Sequence, residues 1–235
     1  MSKIKCLRII IVVSFAITVL MKNSIVHAAT KETVSITKSN FSSSYIRQKL
    51  SKQYDKDKNG ILNRKEINKI KNLKIQWDVV DLKGLSKLKK LEKLELDVEL
   101  VKNIKELSKL KNLKELDFSV TKIKKLDLKN NKKLTKLNVW GGKLKKINIS
   151  SNSNLKHITL NKVNAIDVVD INKLKKLQKI SLNNCTGKGK LTIKKLSYLR
   201  KVEDYGSEIR SLELKRCPRL KKIYLVNEEK SKKLG

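Results

Sequence analysis

The sequence predicts an α/β solenoid, a curved parallel sheet of about seven repeats of 21 or 22 residues. The main observation is a leucine that returns at this interval, at Leu91, Leu113, Leu134, Leu155, Leu177, Leu199 and Leu220. Six of the seven begin the pattern L-x-x-[LIV]-x-[LFV], as in Leu91, Leu94 and Leu96. One such spacing occurs in any amphipathic helix, but seven in register form a leucine-rich repeat signature. We therefore assign residues 73–226 to the repeat domain.

The residues that alternate with the core leucines predict a concave binding face. In a strand, alternate side chains point to opposite sides of the sheet, so each repeat offers three outward positions. The first row is Lys93, Glu115, Lys136, His157, Lys179, Lys201 and Lys222. The second is Glu95, Asp117, Asn138, Thr159, Ser181, Glu203 and Tyr224, and the third is Asp97, Ser119, Trp140, Asn161, Asn183, Tyr205 and Val226.

Aromatic and acidic residues of these rows are the candidate partner contacts. Aromatic anchors dominate many protein interfaces, and an outward tryptophan on a sheet is uncommon. We predict contacts from Trp140, His157, Tyr205, Tyr224, Glu95 and Asp117. The alternative for Trp140 is that it covers a neighbouring repeat beside Gly141 and Gly142.

Two departures from the repeat pattern predict irregular turns. The asparagine that usually follows the strand is replaced by Glu99, Thr121, Gly142, Val163, Cys185 and Ser207, so we expect the buried hydrogen-bond ladder to be mostly missing. In the sixth repeat Asp204 stands where a core leucine is expected. That repeat is predicted to be distorted, or to shift its register and turn Tyr205 inward.

A calcium-binding loop precedes the repeats. Residues 55–66 match D-x-[DN]-x-[DN]-G-x5-E, the pattern of an EF-hand loop. Each position supplies an oxygen ligand or permits the sharp turn at Gly60, and the predicted Ca²⁺ ligands are Asp55, Asp57, Asn59, Ile61 through its carbonyl, Asn63 and Glu66. Apolar stripes on both sides predict flanking helices, so residues 40–72 are assigned as a helix-loop-helix that caps the solenoid. We expect a structural, constitutive ion rather than a sensor.

The N-terminus predicts export. A basic start is followed by an apolar run from Ile9 to Met21 and a small-residue site at Val26-His27-Ala28, which is typical of a secretory signal peptide. We assign residues 1–28 to that peptide, 29–39 to a linker and 227–235 to a basic tail. The mature protein is expected to be secreted, and either released or held noncovalently at the cell wall.

The charge favours anionic partners. The chain has 57 basic and 22 acidic residues, a net charge of +35. Lysines surround the first leucine of successive repeats and should form one flank: Lys87, Lys89, Lys90, Lys109, Lys111, Lys132, Lys133, Lys173, Lys175, Lys176, Lys221 and Lys222. This flank is either a solvated face or a site for wall polymers or glycosaminoglycans. Few aromatic residues, 4%, argue against nucleic acid.

Catalysis is not expected. His157 is the single histidine after the signal segment, and no G-x-S-x-G motif is present. We therefore predict no enzyme activity, no small-molecule substrate and a monomeric protein. Cys185 and Cys217 occupy slots that are usually buried, which favours two free thiols over a disulfide.

The order of these motifs resembles secreted leucine-rich repeat proteins of Gram-positive bacteria. It comprises Phe41-x3-Tyr45-Ile46-Arg47, the Asp-Lys-Asp-Lys-Asn-Gly loop, and Leu82-Lys-Gly-Leu85-x2-Leu88 leading into the repeats. The repeat Ile104-Lys-Glu-Leu-Ser-Lys-Leu-Lys-Asn-Leu-Lys-Glu-Leu116 is similar to those of the internalins. The resemblance covers roughly residues 40–226. It implies a secreted or cell-surface protein whose concave sheet recognises a protein of the host or bacterial surface.

Overall fold

A parallel β-solenoid of about seven turns follows a small helix-loop-helix. The computed structural model describes residues 32–120, 122–141, 143–164 and 171–226, so the predicted signal peptide and basic tail lie outside the described residues. The α-helices are α1 (Ser44–Gln53) and α2 (Arg64–Lys69). The strands are β1 (Val34–Ser35), β2 (Ile61–Leu62), β3 (Asn72–Asp81), β4 (Lys93–Lys102), β5 (Glu115–Val120), β6 (Lys125–Asp127), β7 (Lys136–Trp140), β8 (Lys146–Asn148), β9 (His157–Asn161), β10 (Lys179–Asn183), β11 (Thr186–Lys194), β12 (Lys201–Tyr205), β13 (Glu208–Lys215) and β14 (Lys222–Val226).

The main sheet confirms the predicted solenoid. Its eight strands lie side by side in the order β3, β4, β5, β7, β9, β10, β12 and β14. All pairs are parallel and in register, so Leu94 pairs with Leu116, and Leu116 with Leu137. The same register continues to Val202 and Ile223 at the far end. Strand β3 adds a first repeat ahead of the seven leucine returns, and it pairs with β4.

The α/β class is wrong for the repeats themselves. Both α-helices of the described residues belong to the N-terminal unit. Opposite the main sheet the chain forms 3-10 turns, at Leu85–Lys87, Ile104–Lys109 and Ile171–Lys173, and two parallel strand pairs, β6 with β8 and β11 with β13. A repeat of 21 or 22 residues holds a strand and two turns, which leaves room for a tight 3-10 turn but not for several turns of α-helix.

A buried asparagine ladder exists, but at a different corner from the one predicted. Asn131 and Asn152 are fully buried three residues before Leu134 and Leu155, in the slot that Leu88 and Leu110 fill elsewhere. The Asn131 amide donates to the carbonyls of Leu107 and Leu110, and the Asn152 amide donates to those of Leu128 and Asn131. Each amide thus gives a second hydrogen bond to carbonyls that already accept a backbone N–H of their own turn. The prediction of a mostly missing ladder concerned the turn that follows the strand, whereas Asn131 and Asn152 lie in the turn that precedes it.

The sixth repeat keeps its register. Asp204 pairs with Leu182 on one side and Leu225 on the other, so it takes the core position of its strand. Tyr205 stays exposed, and the predicted inward turn of this residue is wrong. Burial raises the pKa of Asp204, and its Oδ1 has no hydrogen-bond partner among the described residues. The backbone ladder between neighbouring strands therefore outweighs the cost of one carboxylate in the core.

Cys185 and Cys217, the two cysteines among the described residues, are free thiols, as predicted. Cys185 is buried and Cys217 half-buried. The Cys185 sulfur lies 3.3 Å from the Leu160 carbonyl oxygen, and the Cys185 backbone N–H donates to Ser207 Oγ at 3.1 Å.

Within the described ranges, no helix has the length and apolar character that spanning a bilayer requires.

The helix-loop-helix packs against the first repeat and shares its core. Phe41, Ile46 and Leu50 are fully buried in the same cluster as Leu73 and the repeat leucines. Contact is closest at Gly84, whose φ is +92° and where an added Cβ would lie 1.7 Å from the Asn40 carbonyl oxygen. Only glycine fits a backbone approach this close. Solenoid ends need such a cover because the terminal repeat has no neighbour on one side.

Replacing Gly84 should separate the cap from the solenoid. We expect Gly84→Ala to lower the free energy of unfolding by about 3 kcal/mol, since it adds a backbone clash to the cost of a positive φ. Gly60→Ala is the matched control, because Gly60 has a φ of +77° and an added Cβ would meet nothing within 4 Å. Urea denaturation without calcium should show a loss of about 1 kcal/mol for the control. Equal losses in both variants would contradict the docking argument.

Candidate functional site

The concave face carries the three predicted rows. Strand register places Glu95 beside Asp117, and Ser119 between Asp97 and Trp140. Three aromatic side chains of this face are exposed: Trp140 by 48%, Tyr205 by 40% and Tyr224 by 42%. Trp140 follows the buried Val139, so alternation turns it away from the core. Tyr224 lies in β14, where every residue is exposed.

Trp140 borders a depression at the acidic end of the face. The depression has a volume of about 320 Å³ and is lined by Lys74, Glu95, Leu96, Asp97, Asp117, Ser119 and Trp140. The tryptophan is half exposed and forms one wall of this space. Its turn is tight, since a Cβ on Gly141 would lie 2.8 Å from Leu144 Cβ.

The carboxylates of the depression have different partners. The Glu95 carboxylate accepts a hydrogen bond from the Lys93 ammonium at 2.7 Å and lies 3.8 Å from the Lys74 ammonium. Its negative charge is therefore neutralised within the molecule. The side-chain hydrogen bond from Lys93 is the main reason that the pKa of Glu95 is lowered. Asp97 accepts a hydrogen bond from the Gln76 amide at 3.5 Å, and Asp117 accepts one from the Asn138 amide at 3.3 Å. Neither aspartate makes a salt bridge with another described residue.

His157 lies at the centre of the face among lysines. Burial lowers the pKa of its imidazole, and the charges of Lys136, Lys179 and Lys156 lower it further. The ring is therefore neutral at physiological pH and offers one hydrogen-bond donor and one acceptor to a partner.

Tyr224 is held by a buried ionic cluster that sequence reasoning missed. Glu203 is 5% exposed and accepts hydrogen bonds from Lys179 at 2.8 Å and Ser181 at 3.0 Å, and it also pairs with Lys201. Burial alone raises the pKa of Glu203, but these hydrogen bonds outweigh it and lower the pKa to about 2. The Lys201 ammonium lies 4.9 Å from the Tyr224 ring centroid, a cation–π distance. Glu203 thus fixes Lys201, and Lys201 positions the tyrosine.

The predicted contact residues fall into three groups. Trp140, Glu95 and Asp117 meet at the depression, His157 stands alone among lysines, and the two tyrosines lie on the neighbouring strands β12 and β14. Two members of the face were not singled out from the sequence, Asp97 and Glu203. A signal for Asp97 was present, since it follows Glu95 by two residues in the same strand.

The loop before the repeats brings three acidic ligands together. Oxygens of Asp55, Asp57 and Glu66 lie within 4.8 Å of one another, and Asp55 and Glu66 are buried. Backbone N–H groups of Asn59 and Gly60 donate to the two Asp55 oxygens, at 3.2 and 2.9 Å, which closes the turn. Carboxylate oxygens are the ligands that Ca²⁺ prefers, so the donor set fits this ion.

The remaining predicted ligands have local roles in the structure. Asn59 Oδ1 accepts the Ile61 N–H at 2.7 Å, and Asn63 Oδ1 caps α2 through the N–H groups of Lys65 and Glu66. Glu66 in turn accepts the N–H groups of Lys56 at 2.8 Å and Asn63 at 3.0 Å. This capping box satisfies helix donors and holds Glu66 at the loop.

An N-terminal strand, within the segment 29–39 that we predict as a linker, completes the loop. Strand β1 pairs antiparallel with β2, joining Val34 to Leu62 and Ser35 to Ile61. The Ile36 N–H donates to the Gly60 carbonyl at 2.8 Å, and Glu32 pairs with Lys89 at 3.0 Å. A strand edge leaves backbone groups unpaired, and β1 supplies hydrogen-bond partners for those of β2.

Comparisons with known proteins found matches among solved structures alone. No protein-family model and no curated protein sequence matches the chain. Its structure is similar to an internalin of Listeria monocytogenes, InlF, at 14% identity and a TM-score of 0.47, over 81% of this chain and 71% of that one. Internalin C2 of the same organism gives 16% and 0.43, over 74% and 98%. The functional domain of its InlJ, which includes a cysteine ladder, gives 14% and 0.29, over 83% and 71%. Because all three TM-scores are below 0.5, we assign the solenoid from the strand register alone.

The Glu203 cluster predicts a pH-dependent stability difference. Glu203→Gln should lower the free energy of unfolding at pH 7 by about 2 kcal/mol, because the buried charge-assisted hydrogen bonds are lost. A carboxylate whose folded pKa is lowered stabilises above its unfolded pKa and loses this effect as the pH falls toward about 2. Urea unfolding of both proteins at pH 7, 4 and 2.5 should therefore show a gap that narrows with acid. A gap that stays constant over this range would refute the ionic role.

Proposed function

We propose that the protein recognises a protein partner, on a host or bacterial surface, through its concave face. The main observation in support is that Trp140, Tyr205 and Tyr224 are exposed on one parallel sheet. Tyrosine and tryptophan are enriched among the residues that dominate binding energy, because they bury a large area and lose little side-chain entropy. A regular sheet holds them in fixed positions before binding, which reduces the entropic cost of association.

Recognition without catalysis agrees with the chemistry of the face. The charged groups around His157 are lysines, whereas a catalytic imidazole is oriented by a carboxylate and faces a nucleophile. The depression beside Trp140 is open, and it lacks the enclosure that binds most small substrates. We expect a monomer that offers the whole face to one partner.

We further propose a structural calcium ion in the loop at 55–66. The convergence of Asp55, Asp57 and Glu66, the positive φ of Gly60 and the pairing of β1 with β2 support it. The ion would neutralise the three carboxylates and join the two helices of the cap. Extracellular calcium is abundant enough to fill even a weak site, which agrees with the secretion that we propose from the N-terminal residues.

Binding to anionic wall polymers or glycosaminoglycans is a second candidate. All twelve lysines of the predicted flank are exposed, and they recur at the repeat interval. Adjacent repeats of a parallel sheet lie about 4.8 Å apart, so the flank presents closely spaced cations. Such binding would weaken steeply with salt because it rests on counterion release, whereas aromatic contacts would resist salt.

Removal of the aromatic anchors should abolish protein recognition. We expect Trp140→Ala combined with Tyr224→Ala to reduce capture of a surface protein at least tenfold, because hot-spot residues carry most of the binding energy. Immobilised wild-type and variant proteins are exposed to extracts of host and bacterial surfaces across a salt series, and retained proteins are identified by mass spectrometry.

A flank variant is the matched control for this test. Lys132, Lys133, Lys175 and Lys176 changed to glutamine should keep the protein partner and lose any polyanion. Circular dichroism confirms that both variants are folded. Undiminished capture by the aromatic variant would overturn the proposal, and retention that salt abolishes would establish the polyanion alternative.

Calcium should stabilise the protein through Glu66. With a dissociation constant of about 0.1 mM, 1 mM Ca²⁺ raises the free energy of unfolding by about 1.4 kcal/mol. Glu66→Gln keeps a residue suited to the capping box but loses the anionic ligand, so its stability should not respond to calcium. Thermal unfolding with calcium or EDTA measures both responses. The same calcium response in the two proteins would exclude this site.

A further inference from the structure

We propose that the depression between Asp97, Asp117 and Trp140 receives an arginine side chain of the partner. This inference rests on the proposed function and adds the chemistry that the acidic end of the face recognises. The three residues belong to the consecutive strands β4, β5 and β7 and line one space of about 320 Å³.

The strand register builds a slot of suitable width. Asp97 and Trp140 occupy the same row two strands apart, with Ser119 between them. Adjacent strands lie about 4.8 Å apart, so the two walls stand about 10 Å from each other. The serine is small and leaves the floor open. A planar guanidinium fits above it with its face on the indole and its edge toward the aspartates.

Uncompensated charge selects a cation. Glu95, which also lines the slot, is paired with Lys93 at 2.7 Å. Asp97 and Asp117 are approached by the amides of Gln76 and Asn138 and make no salt bridge within the described ranges. Lys74 also lines the slot, but its ammonium lies 3.8 Å from Glu95 and makes no salt bridge with either aspartate. A ligand cation would supply the charge that the molecule's own lysines do not.

Arginine fits this geometry better than lysine. A guanidinium is planar, donates two parallel hydrogen bonds to carboxylates and stacks on aromatic faces, whereas an ammonium is a strongly hydrated point charge. Arginine over tryptophan is also the most favourable cation–π pair. The positive charge of the whole protein repels a generally basic partner. The arginine should therefore project from a neutral or acidic surface.

A matched peptide pair tests the inference directly. The probes are acetyl-Gly-Arg-Gly-amide and the same peptide with citrulline, which keeps the shape and lacks the charge. Amide and indole N–H shifts of the ¹⁵N-labelled protein report binding and its location, and the spectrum itself reports folding. Variants are Asp97→Asn, Asp117→Asn, their combination and Trp140→Leu. Glu208→Gln is the control, since it removes an exposed negative charge in β13, outside the main sheet.

The expected result is weak, localised binding of the arginine peptide. Its dissociation constant should be on the order of 1 mM, a value usual for a single side chain, and about tenfold weaker for citrulline. The double aspartate variant and Trp140→Leu should each weaken binding at least tenfold, and Glu208→Gln by less than twofold. Equal binding of the two peptides, shifts elsewhere, or full affinity in the double variant would overturn the inference.

The outcomes separate this inference from the function on which it rests. If the aromatic variant loses partner capture but no peptide binds, the face is a recognition surface and the arginine slot is refuted. If the arginine peptide binds at the slot while capture ignores the aromatic residues, the slot stands and the proposed recognition mode falls.

Discussion

Parallel pairing at a fixed interval of 21 or 22 residues is the constraint on which every other feature depends. Because side chains alternate along a strand, a slip of one residue would move leucines outward and charged residues into the core. The register therefore fixes the core, the three outward rows and the stacking of turns together. It even holds Asp204 in a core position, since shifting one strand would break the backbone ladder with both neighbours.

Repetition also explains how polar groups are satisfied inside the molecule. The turns stack on one another as the strands do, so one buried amide reaches two carbonyls of the equivalent turn in the preceding repeat. Asn131 and Asn152 use this geometry in successive repeats. Where leucine fills the same slot, the core gains apolar contacts instead. The solenoid thus uses two residue types in one slot, and they are compatible in adjacent repeats, since the Asn131 amide donates to a turn whose own slot holds Leu110.

The sequence was sufficient to predict the features of the fold that recur at the repeat interval. Strand positions, the inward leucines and the three rows follow from alternation and spacing. The convergence of Asp55, Asp57 and Glu66 follows from a different source, the loop motif that contains them. Contacts between distant segments were not predictable in this way. The pairing of Val34 with Leu62 joins residues that share no periodicity, and the buried state of Glu203 depends on lysines from two different strands. The asparagine ladder was missed because its slot differs from the usual one, although the period would have revealed it.

The electrostatics of the concave face follow from which residue stands two positions before each acid. Glu95 and Glu203 are preceded by Lys93 and Lys201 on the same side of their strands, and each pair forms a salt bridge. Asp117 is preceded by Glu115 and Asp97 by Glu95, so neither has a lysine in that place. An aspartate is also shorter than a glutamate and reaches less far along the row. Lysines of neighbouring strands contribute as well, Lys179 to Glu203 and Lys74 to Glu95. A strongly basic chain can therefore keep a local acidic site, because the positions of lysines along and across the strands, and not the net charge, determine which carboxylates are neutralised.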